Sequence, residues 1–97
     1  MDLTMSELPK IRSVKSLGGY RLELAFNDGA HGAHDLAWLF AKIGPMNQPL
    51  RDEAFFARVF LENGALTWPN GYELSPWNIR ERMQTAGELR LPTIAAE

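Results

Sequence analysis

The chain of 97 residues is 45% apolar and 10% aromatic, enough for one hydrophobic core and too hydrophobic for a disordered segment. It has no cysteine, which excludes disulfides, thiolate zinc sites and cysteine nucleophiles. A formal charge of −2 lacks the basic excess usual in nucleic-acid binders, and no run approaches the ~20 apolar residues of a membrane span.

Residues 1–9 mix polar and apolar side chains without period, and Pro9 stops any helix, so a frayed start is expected before a single domain over residues 10–87. Acidic Asp2 and Glu7 stand where a secretory signal would carry basic residues, and a cytoplasmic location is expected. Residues 11–17 suit a strand, and Gly18-Gly19 supplies the positive-φ positions of a hairpin turn. In the next strand Tyr20, Leu22, Leu24 and Phe26 alternate with Arg21, Glu23 and Ala25, the period of a strand with one packed and one wet face. Asn27-Asp28-Gly29 predicts a second turn, and residues 30–34 a third strand.

Asp35 precedes Leu36, Leu39 and Phe40, which predicts a capped short helix ending near Gly44-Pro45. Residues 46–50 read as loop, and Asp52 caps a second short helix carrying Phe55, Phe56 and Val59. Asn63-Gly64 between residues 60–62 and 65–68 predicts another hairpin, because Asn-Gly favours the type I′ turn. Pro69-Asn70-Gly71 turns the chain into a short strand at residues 72–74. Ser75-Pro76 then starts a helix over about residues 76–85, with Ile79 and Met83 on its apolar side and Gly87 at its end. Residues 88–97 form a tail, docked or loose.

The order of these motifs resembles the domain-of-unknown-function 2442 family over roughly residues 10–80. The resemblance is carried by Gly-Gly-Tyr-Arg-Leu-Glu-Leu-Ala-Phe-Asn-Asp-Gly, by Leu50-Arg51-Asp52 with Phe55-Phe56, and most specifically by Trp68-Pro69-Asn70-Gly71. It implies a small bacterial protein, often encoded beside another small protein in an arrangement like toxin–antitoxin pairs. Some members carry a fused DNA-binding helix-turn-helix, for which this chain has no room after its last helix. It implies no activity that transfers residue by residue.

His31 and His34, with Asp28 and Asp35 nearby, are the metal-like cluster, but strand positions three apart face opposite sides. The carboxylates of Asp28 and Asp35 are better explained by a turn and a cap, and Asp52-Glu53 by the positive end of a helix. No Gly-x-Ser-x-Gly elbow or phosphate loop is present. Trp68, Asn70 and Tyr72 are read first as a buried corner and its turn, and second as an exposed aromatic anchor for a partner. Trp38 and Trp77 pose the same choice. Lys10, Arg12, Lys15 and Arg21 could form a basic patch.

The expected fold is therefore α+β, a mostly antiparallel sheet of about five short strands with two or three short helices on one face. A sheet edge left open would suit homodimerisation or pairing with a small partner protein. The expected role is a non-enzymatic interaction module without cofactor, in the manner of the regulatory or antitoxin-like member of a two-protein pair. A nucleic-acid accessory domain is the first alternative, and a metal-dependent enzyme the second.

Overall fold

A computed structural model describes residues 8–91, so most of the expected frayed start and residues 92–97 of the tail lie outside the described residues. The chain first forms β1 (Ile11–Gly18), β2 (Arg21–Phe26) and β3 (His31–Asp35), an antiparallel meander in the order β1-β2-β3. Leu22, Leu24 and Phe26 are buried while Arg21 and Glu23 are exposed, as the alternation of β2 predicts. In β1 the inward residues are spaced differently. Ile11 pairs with Phe26 and Ser13 with Ala25, so Arg12 is the extra residue of a bulge. That bulge brings Val14 into line with Ile11, and Val14 packs against the core. A second irregularity at Leu17 closes the strand.

Two 3-10 turns follow, at Ala37–Ala41 and Gln48–Arg51. The Asp35 carboxylate accepts from the Ala37 amide at 2.9 Å, and the short helix expected there is a 3-10 turn. The second turn replaces part of the expected loop. Helix α1 (Glu53–Phe56) is a single turn capped by Asp52, whose side chain accepts from the Ala54 amide. Strands β4 (Phe60–Glu62), β5 (Ala65–Thr67) and β6 (Glu73–Leu74) form a second antiparallel sheet in the order β4-β5-β6. Helix α2 (Pro76–Thr85) closes the domain, capped by the Ser75 hydroxyl and ended by a Schellman turn through Gly87, in which the Glu88 amide donates to the Met83 carbonyl.

The fold class is α+β, as expected, with one correction: among the described residues six strands in two three-stranded sheets replace a single sheet of about five, and two of the helical segments are α-helices. The division has a local cause. The β4–β5 hairpin meets β1 at its tip, where the Ile11 amide donates to the Gly64 carbonyl at 2.9 Å. Asn63 and Gly64 both have positive φ, as the type I′ turn requires, and a Cβ on Gly64 would lie 2.7 Å from that of Lys10. One hydrogen bond therefore joins the sheets where a ladder would have fused them.

One core serves both sheets. Leu22, Leu24 and Phe26 from β2, Leu66 from β5, Phe56 from α1, Ile79 and Met83 from α2, and Trp68 are each less than 2% exposed. The aromatic rings form a chain of edge and tilted contacts, Phe40 to Tyr20 at 4.8 Å, Tyr20 to Phe56 at 5.3 Å, and Phe56 to Trp68 at 5.4 Å.

Candidate interaction surface

The side chains best suited to chemistry are engaged by near neighbours. His34 is buried, with its partner in the sheet register Leu22, whereas His31 is exposed opposite Ala25, so the two imidazoles stand on opposite faces of β3. Trp38 donates its indole N–H to His34 Nε2 at 3.0 Å, and an indole is a donor only, so Nε2 must accept. The ring proton then sits on Nδ1 and is donated to Glu88 at 2.6 Å. With both ring nitrogens occupied, His34 has no lone pair to offer a metal ion. No group of three or more His, Asp or Glu side chains is placed to hold one among the described residues.

Asp28 accepts from the Ala30 amide in its turn and receives both terminal nitrogens of Arg80, at 3.0 and 2.9 Å. The Arg80 hydrogen bonds are the main cause that holds its carboxyl below the ordinary carboxylate range. Glu88 and Arg90 also fasten the chain after α2. Arg90 exchanges two backbone hydrogen bonds with His31, at 2.9 and 2.7 Å, and so covers the outer edge of β3. The approach is so close that a Cβ on Gly32 would collide with the Glu88 carbonyl oxygen.

The Trp68–Tyr72 corner is built from the inside. Trp68 is fully buried and donates its indole N–H to the Phe56 carbonyl at 2.9 Å. Asn70 accepts from the Tyr72 amide and donates to the Met46 carbonyl, so its amide group is committed at both ends. Tyr72 is half-buried against Trp68, and burial pushes its phenol up from the ordinary tyrosine range. Asn47, which sequence reading did not single out, stitches the adjoining loop by accepting from the Gly44 amide and donating to the Leu39 and Lys42 carbonyls. Trp38 is half-buried beneath the Arg82 guanidinium, which lies 3.5 Å from its ring centroid.

Trp77 differs from the other two tryptophans. It is 58% exposed in the first turn of α2 and lines a shallow groove of about 210 Å³ with Pro9, Arg80, Glu81 and Gln84. On a helix of 3.6 residues per turn, the positions 77, 80, 81 and 84 share one side, opposite Ile79 and Met83. Leu8, next to Pro9, is also 58% exposed. This flank was legible only in part. Trp77 was a candidate, but its companions were missed, although their spacing from Trp77 is itself the signal.

Of the four basic candidates, Lys15 and Arg21 share the outer face of the first sheet, but acidic residues stand opposite both. Lys10 packs at the Gly64 tip, Arg12 is the bulge residue of β1, Lys15 stands opposite Glu23, and Arg21 opposite Asp35. The outer face of the first sheet therefore interleaves the two signs of charge. Among the described residues the outer edge of β1 pairs with no strand, but two irregularities bracket it and Lys15 lies between them, all features that discourage strand addition. No helix among the described residues is long and apolar enough to cross a membrane.

Searches of curated proteins and of solved structures return no match. A family model described as "Protein of unknown function (DUF2442)" matches residues 11–84, from the first residue of β1 almost to the end of α2. With that match spanning both sheets, the Trp68 corner and the helix that carries Trp77, the chain belongs to the DUF2442 family of proteins of unknown function.

Proposed function

We propose that the protein is a non-enzymatic protein-interaction module whose contact surface is the α2 flank around Trp77. The observation that carries this reading is the exposure of Trp77 on a helix whose other side is locked into the core by Ile79 and Met83. A large, rigid aromatic held on a fixed helix adds contact area with little ordering entropy, and such residues dominate binding energies. The engagement of His34, Asp28, Asp35 and Asp52 by hydrogen bonds within the domain supports the same reading, because each has a structural task.

The role of regulatory or antitoxin-like member of a bacterial two-protein pair rests on the family resemblance alone, as analogy. Nucleic-acid binding is less well supported, because Lys15 and Arg21 alternate with Glu23 and Asp35 on one face. The test is a tagged purification from the native host with wild-type protein and Trp77→Ala side by side, followed by light scattering. The reading expects wild type to elute in a complex, with itself or with another protein, that the variant does not form. Identical eluates of free monomer from both would overturn it.

A further inference from the structure

We infer that the α2 flank binds a second copy of this chain, helix against helix about a two-fold axis, an inference that rests on the contact-surface reading above and adds its occupant. An isologous interface requires one patch that complements itself. The stripe Trp77, Arg80, Glu81 and Gln84 does so. With the axis crossing α2 between Arg80 and Glu81 and the helices antiparallel, Arg80 of each protomer meets the partner's Glu81. Trp77 of each then meets the partner's Gln84. The four positions pair without remainder, and Asp28 takes two of the five N–H donors of Arg80, which leaves the others for the partner's Glu81. Their i, i+3, i+4, i+7 spacing puts them on one side of α2, where two helices can meet.

Arg80 is prepared for this contact. Asp28 holds its terminal nitrogens and its guanidinium centre lies 5.0 Å from the Phe26 ring centroid, so the cation is already ordered at the surface. Glu81 is exposed on the next helix position and supplies the opposite charge. Trp77 brings apolar area to lay over the stem of Gln84, and Pro9, with Leu8 beside it, flanks the groove. The open edge of β1 offers a second copy less. An antiparallel pairing centred on its free stretch would set Lys15 against Lys15.

Light scattering and sedimentation of the purified chain from about 1 to about 300 μM test the inference over the range of weak self-association. The expected result is a mass that rises from monomer to dimer, with tryptophan emission shifting to the blue as Trp77 is covered. Glu81→Arg places a cation against Arg80 and is expected to raise the dimer dissociation constant at least ~10-fold. Trp77→Ala is expected to leave monomer throughout. Both side chains are exposed, so circular dichroism and melting of the monomers should match wild type. A dimer that survives both substitutions unchanged would overturn the inference. So would a wild-type monomer at every concentration, and the eluates from the host then separate the two readings. If Trp77→Ala loses a different protein that wild type retains, only the second copy is wrong. If wild type and Trp77→Ala elute alike as monomers, the contact surface falls as well.

Discussion

Trp68 and Trp77 are nine positions apart and have opposite fates. Trp68 sits between Phe56 and Tyr72, with its N–H on the Phe56 carbonyl and no exposed surface. Trp77 has its ring in water beside Pro9 on a helix already anchored elsewhere. The difference lies in what each is needed for. The corner at residues 68–72 joins β5 to β6, and its tryptophan is the largest side chain of the shared core. On α2 that core takes Ile79 and Met83, with Arg80 laid over Phe26. Trp77 is thereby left outside the core, available for the contact that we propose.

The sharpest way to break the comparison is to truncate both rings. Trp68→Ala is expected to cost about 3–5 kcal/mol, the range for a large buried aromatic, with the Phe56 carbonyl losing its partner as well. Trp77→Ala is expected to change monomer stability by no more than about 0.5 kcal/mol. Urea unfolding of the two variants measures both. Equal costs would mean that Trp77 is part of the core and not a surface residue.

A smaller effect is expected from the loop that abuts the corner. Asn47→Ala removes three hydrogen bonds and leaves the Gly44 amide and the Leu39 and Lys42 carbonyls to water or to nothing, an expected cost of about 1–3 kcal/mol. Asn70→Ala removes the bonds to Tyr72 and Met46, with an expected cost of about 1–2 kcal/mol. Amide exchange sharpens the point. Asn47→Ala should speed exchange at Gly44, and Asn70→Ala at Tyr72, with α2 unchanged in both. Loss of protection throughout α2 would show that corner and flank are one cooperative unit.

The turns and caps were readable because their chemistry is local. Gly18-Gly19, Asn63-Gly64, Asp52 and Ser75 each do what their residue types predict. A cap marks where a helix starts and says little about its length or kind, so the short helix expected after Asp35 carries no sign of being 3-10. Its Leu36 and Leu39, three apart, serve a 3-10 turn equally well. The separation of the sheets was not readable, since it turns on one bond between Ile11 and Gly64, 53 positions apart. Nor was the engagement of His34, whose partner Glu88 lies 54 positions away. The exposure of Trp77 was closer to hand. It precedes Ile79 by two residues, about 200° around the helix, so burying Ile79 and Met83 turns Trp77 outward.

The smallest expected effect concerns the ion pair that pins Arg80 at the flank. Arg80 holds the Asp28 carboxyl below its ordinary value of 3.8, so the folded state binds this proton less readily than the unfolded state. The pair's contribution is then present in full above 3.8 and fades as pH falls through the lower folded value. The carboxylate is 48% exposed, which screens the pair and keeps the effect small. Asp28→Asn isolates it, because the amide oxygen can still accept from the Ala30 amide and preserve the turn. The melting temperature of wild type should exceed that of Asp28→Asn by a degree or so at neutral pH, with the gap closing in acid and in high salt. A gap that stayed constant into strong acid would trace to the turn and not to the charge on Arg80. The flank's cation would then be free to move, and the ordered arginine on which helix-to-helix pairing depends would lose its anchor.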